Sequence, residues 1–305
     1  MLFINMIYLN NLLFYIFLIP LLGSIFLMVV SFKYSKFLKS IALIIACITF
    51  LLSLILWFFF DKSLGSFQFC TSQVWFLEYS LIFSLGVDGI SLFFVILTTL
   101  LIPICLLISW NSVNHSLKIY LVLFLIMESM LIGVFCILDL LLFYIFFESV
   151  LIPMFLIIGI WGSRERKIRA SFLFFLYTLF GSVSMLLSIL YIYYQSGTTD
   201  YKVLLTFSFS FFEQKFLWLS FFLSFATKVP MLPAHLWLPE AHVEAPTSGS
   251  VVLAGVLLKL GVYGFIRFSL PLFPEACFYF SPMVYSLAGA GIVYTSFTAI
   301  RQTDF

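Results

Sequence analysis

An all-α, polytopic transmembrane helix bundle of about nine spans is the fold class this chain predicts, and three observations predict it. Hydrophobic residues make up 64% of the 305 and charged residues 9%, against about 45–50% and about 25% in an ordinary soluble domain. The apolar residues come in runs of roughly 18–25, the length that crosses a bilayer core of about 30 Å. The basic residues sit in short loops between the runs, where they report orientation. A solvated globular surface is excluded, and a net charge of +2 gives no reason to expect a nucleic-acid partner.

Reading the apolar runs between charges and Gly/Pro/Asn clusters places spans at 8–31, 40–60, 88–110, 118–138, 140–161, 170–194, 214–237, 249–268 and 278–300. The first charge after the N-terminus is Lys33, so residues 1–32 lack the basic start and the small-residue cleavage site of a signal peptide and read as a retained first span. Spans four and five are divided by little more than Asp139. Asp88 and Asp139 stand at span ends and read as helix caps or interface residues. No charge-rich linker divides the chain, which reads as one domain.

With alternate loops on opposite sides, the loops after odd-numbered spans hold Lys33, Lys36, Lys39, Lys118, Arg164, Arg166, Lys167, Arg169 and Arg301. The other side holds Lys62, Lys202, Lys215 and Arg267. Nine basic residues against four put the Arg164–Arg169 loop on the cytoplasmic or matrix side and the N-terminus opposite. Cys47, Cys70, Cys105, Cys136 and Cys277 are scattered without a CxxC pair, so no metal site, cluster or haem is expected in this chain. Four of the five lie in apolar runs and read as small core residues.

Charges inside apolar runs carry the functional signal. Glu128 lies nine residues past Ile119 in span four, Glu148 eight past Leu140 in span five, Lys228 twelve past Phe216 in span seven and Lys259 eight past Val251 in span eight, which is close to mid-bilayer at 1.5 Å per residue. A charge there costs at least about 2.5–3.5 kcal/mol, so it must be paired, hydrated or neutralised, and such residues often mark ion pathways. Burial favours the neutral form of each group and pairing the charged form. Two carboxylates and two lysines so balanced fit a proton-transfer relay; a static lock between helices is the alternative.

Span seven adds a second signal, Ala226-Thr-Lys228-Val-Pro230-Met-Leu-Pro233-Ala-His235. Each proline lacks an amide donor and crowds the carbonyl four residues back, so Ala226 and Val229 should lose their helical partners beside Lys228. A broken helix is tolerated in a membrane only where it is buried in protein or lines a wet cavity, and interrupted helices mark ion sites in transporters. A simple kink is the other reading. His235, seven residues past Lys228, could carry protons or serve as a hydrogen-bonding residue near the interface. His242 falls in the connecting loop, and His115 carries no functional expectation.

The run from Lys228 through Pro230, Pro233, His235, Trp237, Pro239, His242 and Pro246 to Lys259 and Arg267 closely resembles the NADH dehydrogenase subunit 4 family, the antiporter-like membrane subunits of respiratory complex I. Phe146-Phe-Glu148-Ser-Val-Leu-Ile-Pro153-Met154 and Gly159-Ile-Trp161-Gly162 match as well. The resemblance implies that Glu148 is the fifth-helix glutamate paired with the lysine of the broken seventh helix, Lys228. It also implies that Lys259 is the eighth-helix lysine on a central hydrophilic axis and that His235 is the polar residue between the lysines. Glu128 resembles a fourth-helix glutamate of some members only. Residues 1–117 would form an N-terminal three-helix segment, 118–268 the first five-helix repeat, and 269–305 the start of a second, inverted repeat. The family continues beyond the position of Gln302-Thr303-Asp304-Phe305, so a second polypeptide supplying the C-terminal half is one expectation and an incomplete sequence the other.

The function implied is proton translocation through a Glu/Lys/His relay, driven by redox chemistry in other subunits of NADH:ubiquinone oxidoreductase. NADH, FMN, iron–sulfur clusters and ubiquinone would belong to those partners, which include neighbouring antiporter-like membrane-arm subunits and lipids. The implied location is the mitochondrial inner membrane with the Arg164–Arg169 loop in the matrix, or else a bacterial plasma membrane. An Mrp-type cation/proton antiporter subunit and a truncated scaffold subunit remain as alternative functions.

Overall fold

The computed structural model describes residues 2–29, 35–76 and 81–302. Lys33 and residues 303–305 lie outside the described residues. The first two spans are α1 (Leu2–Val29) and α2 (Ser35–Phe58). An antiparallel hairpin follows, β1 (Gln68–Phe76) with β2 (Leu81–Val87), then α3 (Gly89–Ile108) and α4 (Leu117–Cys136). The chain is the expected membrane helix bundle, to which this two-stranded hairpin is an addition. Its stretch is too short and too mixed to cross a bilayer but rich in Thr, Val, Phe and Trp, which fit a half-buried pleated surface, and it buries Phe69, Leu85 and Val87.

The fifth span is two helices, α5 (Leu140–Ser149) and α6 (Leu151–Trp161), and α7 (Lys167–Ser196) is the sixth. A short α8 (Tyr201–Leu204) leads to α9 (Phe211–Lys228) and, beyond an irregular segment, α10 (Trp237–Glu244). The eighth span runs through α11 (Thr247–Val252), a π-helical turn at Leu253–Leu257, α12 (Leu258–Gly264), a second π turn at Phe265–Ser269 and α13 (Leu270–Leu272). Then comes α14 (Pro274–Ile300). Among the described residues eight helical segments are long and apolar enough to cross a membrane. The remaining expected span, α9, carries Glu213, Lys215 and Lys228.

Helix α4 is the hub, 83% buried, packed against α1, α2, α3, α5 and α6. Helix α9 packs on α7 and α12, whereas α14 is largely open, with 6% of its span buried, and meets the rest mainly through α9 and α13 and through Tyr294 against His235. Asp88 and Asp139 are N-caps, accepting from the Ser91 and Leu142 amides, as the sequence suggests. The cysteine expectation holds for Cys105 and Cys136, which are buried, but not for Cys47, which is exposed on α2.

Hydrogen bonds sort the loops into two ends. At one, Lys39 Nζ reaches the Trp110 carbonyl, Lys118 Nζ the Met28 carbonyl, the Trp161 indole the His115 carbonyl, and the Ser163 amide the Glu244 carbonyl. At the other, Lys202 meets Cys70, Thr199 meets Asp139, and Arg267 meets Asp88. The described basic residues of the odd-numbered loops before span seven thus share the first end, and Lys202 and Arg267 the second.

Candidate functional site

The α5–α6 interruption follows from Pro153. Without an amide hydrogen it leaves the Ser149 carbonyl unpartnered and disturbs the turn before it, so α5 ends at Ser149 and α6 restarts at Leu151. Glu148 therefore lies in a terminal turn. Both of its carboxyl oxygens are buried without a hydrogen-bond partner. The apolar run 140–161 reads as one span from its length, and Pro153 is the residue within it that signals the break.

Lys228 ends α9 in the same way, ahead of Pro230 and Pro233. The side chain is 2% exposed, and its ammonium donates to the Phe147 carbonyl at 3.3 Å while lying 4.3 Å from the Phe147 ring centroid. The backbone loses less than the prolines suggest. The Met231 amide takes up the Ala226 carbonyl at 2.9 Å, and the Trp237 indole takes up that of Thr227, also at 2.9 Å. Trp237, 1% exposed, thereby braces the end of α9, a contact that spacing in the sequence does not reveal.

Glu148 and Lys228 feel each other's charge but form no ion pair within 4.0 Å. The lysine has turned to the carbonyl of the residue before the glutamate. Of the two forms the expected pairing could take, an ion pair or an approach bridged by one water, the direct ion pair is not formed. The reason is local: the end of α5 frees a carbonyl dipole and an aromatic face in the same place, and together they offer the ammonium a hydrogen bond and a π face.

Three glycines bring helices onto this break. A Cβ on Gly181 of α7 would lie 2.6 Å from Thr227 Oγ1. One on Gly261 of α12 would lie 2.8 Å from the Phe225 carbonyl and 3.2 Å from Lys228 Cβ, and one on Gly264 would strike the Phe225 ring. Close approach of this kind is what small residues permit between membrane helices. None of the three was singled out from the sequence, because spacing alone does not distinguish a packing glycine from a tolerated one.

The other expected site residues are dispersed. His235 is half-buried with Nδ1 unpartnered, and its ring meets that of Tyr294 on α14 edge-on, 5.5 Å between centroids. Lys259 is exposed and has no hydrogen bond or ion pair among the described residues, lying two residues from the α9-facing Gly261 on a helix bounded by π turns. Such turns often occur at functional positions. Lys228, His235 and Lys259 make no polar contact with one another. Glu128 is fully buried and bonded to Thr49 of α2 at 2.5 Å, facing the N-terminal helices. His242 lies in helix α10 rather than in an open loop, and burial lowers its proton affinity. Among the described residues no three His, Cys, Asp or Glu side chains gather as a metal site.

Residues 138–305 match the family model described as NADH:quinone oxidoreductase/Mrp antiporter, transmembrane. The chain belongs to this family. NADH-ubiquinone oxidoreductase chain 4 of Chondrus crispus is 57% identical over 285 residues, and that of Arabidopsis thaliana 59%, each aligned to 93% of this chain and 58% of its own length. The chain thus spans a little over half the length of these curated relatives. A chain in the structure of respiratory complex I from Thermus thermophilus with bound NADH superposes with a TM-score of 0.84 at 30% identity, covering 96% of this chain and 60% of that one. The membrane-bound sulfane sulfur reductase, an archaeal respiratory membrane complex, shares the fold with a TM-score of 0.71 at 21% identity. In this antiporter family the matched region begins at the start of span five, so Glu148, Lys228, His235 and Lys259 all fall within it and Glu128 falls outside.

Proposed function

We propose that the chain is part of a proton-translocating membrane subunit of NADH:ubiquinone oxidoreductase, with Glu148 and Lys228 as the central pair of its relay. One observation carries this reading: a buried lysine at one helix interruption rests on the backbone of another, beside a carboxylate whose buried oxygens have no hydrogen-bond partner. A charge so poorly satisfied gains much from a small displacement. Moving Lys228 toward Glu148 stabilises both charged forms, and moving it away favours passing its proton onward. His235 and Lys259 continue the path. Their position, half-buried and exposed, suits a route completed by helices laid over α14 and the outer side of α12.

Those helices would come from the remainder of the relatives' length, either as a continuation of this chain or as a second polypeptide beside spans seven to nine. The other partners are neighbouring antiporter-like subunits, with NADH, FMN, iron–sulfur clusters and ubiquinone held by subunits of the same assembly. The eukaryotic relatives support the mitochondrial inner membrane, and the basic-residue count supports the Arg164–Arg169 loop facing the matrix. The family description also covers Mrp antiporters, which keeps a cation/proton antiporter subunit as the second reading; co-purification with flavin and iron–sulfur subunits separates the two.

The test is Lys228→Met in the assembled complex. Proton pumping per quinone reduced should fall about 100-fold, the scale of losing one acid–base group, with assembly intact. Unchanged pumping would turn the pair into a static lock.

A further inference from the structure

Glu128 occupies a second buried polar site, on the side of α4 that meets α2. Its carboxyl is 0% exposed; Oε1 lies 2.5 Å from Thr49 Oγ1, and Oε2 has no hydrogen-bond partner. Thr49 Oγ1 is also 2.8 Å from the Ala46 carbonyl. One hydroxyl has one hydrogen, and a carbonyl can only accept. If Thr49 donates to Ala46, the 2.5 Å contact needs a hydrogen from Glu128. If Thr49 donates to an ionised Glu128 instead, its approach to Ala46 is a contact between two acceptors, and the second carboxylate oxygen shares a full charge with nothing.

A protonated carboxyl resolves both. Its hydroxyl, Oε1–H, donates to Thr49, Thr49 donates to Ala46, and Oε2 becomes an ordinary carbonyl oxygen missing one optional acceptor bond. We infer that Glu128 and Thr49 form a proton-binding site in the α2–α4 interface, distinct from the Glu148–Lys228 pair, in which Glu128 holds its proton as a neutral acid. The ligand is H⁺ and the donor–acceptor order is Glu128 to Thr49 to Ala46.

Among the described residues Glu128 has no ion-pair partner to compensate an ionised form. Helices α1, α3 and α6, all packed on α4, carry no charged residue, and neither does β2. Helix α2 carries Lys36 and Lys39 at its first turns, and Lys39, ten residues before Thr49, is bonded to Trp110. On α4 Lys118 lies ten residues before Glu128 and is bonded at the bundle end to Met28. Glu148 on α5 has the same sign, and the thiols and phenols on these elements, Tyr15, Cys47, Cys105, Tyr120, Cys136 and Tyr144, carry no positive charge. What lines the interface instead is hydroxyl: Ser53 pairs with Thr99 at 2.8 Å one turn beyond Thr49, and Ser129 bonds the Phe17 carbonyl. Losing the proton would place a bare charge between the N-terminal helices and α4, so closure of that interface and proton occupancy are one event.

Infrared difference spectra of the membrane assembly containing this chain read the protonation state directly. Glu128→Gln keeps the amide able to donate to Thr49 and should delete the carbonyl stretch of a hydrogen-bonded carboxylic acid. Thr49→Val should shift that band to the position of a free acid. Loss of carboxylate bands in Glu128→Gln would overturn the inference, as would an unmoved band in Thr49→Val. So would disappearance of the acid band when sodium chloride replaces choline chloride, which would make the ligand a metal cation. The readout does not involve pumping: failure of the relay at Lys228 leaves this site standing, and failure here leaves Glu148 and Lys228 untouched.

Discussion

Two opposite-charge pairs in this bundle are built on contrary plans. Arg267 Nη2 donates to Asp88 at 2.6 Å and to Ser91 at 2.8 Å, and Nε donates to Tyr263 at 3.2 Å. The guanidinium lies over Phe67, Tyr201 and Tyr263, 4.9, 5.8 and 5.5 Å from their centroids, which ties the hairpin, α3, α8 and the second π turn together. Two of the three guanidinium nitrogens are hydrogen-bonded, and the plane is covered by rings. Glu148 and Lys228 are more deeply buried and have far less: one hydrogen bond to a carbonyl, one aromatic face, and a carboxyl whose oxygens make no hydrogen bond within 3.5 Å, with Ser182 as its nearest polar neighbour besides Lys228. A saturated pair has no reason to change partners and acts as a clasp. An unsaturated one, set on two interrupted helices, gains from any rearrangement, and that is what a transfer site requires.

The sharpest way to break the comparison is to unpair the clasp. Arg267→Ala leaves Asp88 partly buried beside three aromatic rings, and we expect a loss of about 3–5 kcal/mol, the usual cost of stranding one partner of a buried pair. Thermal unfolding in detergent measures it. A loss confined to pumping, with stability intact, would show that Arg267 belongs to the moving part of the molecule and erase the distinction.

A smaller effect probes the loose pair through its packing. Gly261→Ala sets a methyl 2.8 Å from the Phe225 carbonyl, a backbone atom that cannot swing aside. Overpacking of this kind costs about 1–3 kcal/mol, and the displaced α12 should also depress pumping, because Lys228 sits at the contact. Gly65→Ala, with nothing within 4 Å, is the control and should change neither. Equal behaviour of the two variants in a pumping assay would remove close α9–α12 approach from the account.

The smallest expected effect is that of pH on the clasp. Burial works to raise the Asp88 carboxyl, but the hydrogen bond and charge of Arg267 and the Ser91 amide outweigh it and hold the group below its ordinary 3.8. A carboxylate depressed by folding contributes stability above its unfolded value and loses it as pH falls through the folded one. Stability should therefore be flat in this respect from neutrality down to about pH 4 and decline below it. Asp88→Asn should flatten that acid limb; an unchanged limb would assign it to other carboxylates.

Much of this is legible in the amino-acid sequence. The spans follow from the length and apolarity of the runs, because hydrocarbon tolerates no unpaired backbone and leaves the helix as the one solution for such a segment. The depth of Glu128, Glu148, Lys228 and Lys259 follows from counting along those helices. The break after Lys228 follows from Pro230 and Pro233, since proline acts through its own covalent structure. Asp88 and Asp139 as caps follow from their place at span ends.

What the chain order could not convey is which faces meet. Depth along a helix is a one-dimensional quantity, and rotation about the helix axis is decided by packing, so Glu128 turned to Thr49 and away from Glu148, and Lys259 turned outward. Nor could sequence foresee that Lys228 would choose the Phe147 carbonyl over the Glu148 carboxylate, a competition settled by where two separate helix ends come to rest. The Arg267–Asp88 clasp joins residues 179 apart. Covalent geometry and burial length are local properties and were readable residue by residue; partner choice is a property of the assembled bundle, because only there do the distances that rank one hydrogen bond above another exist.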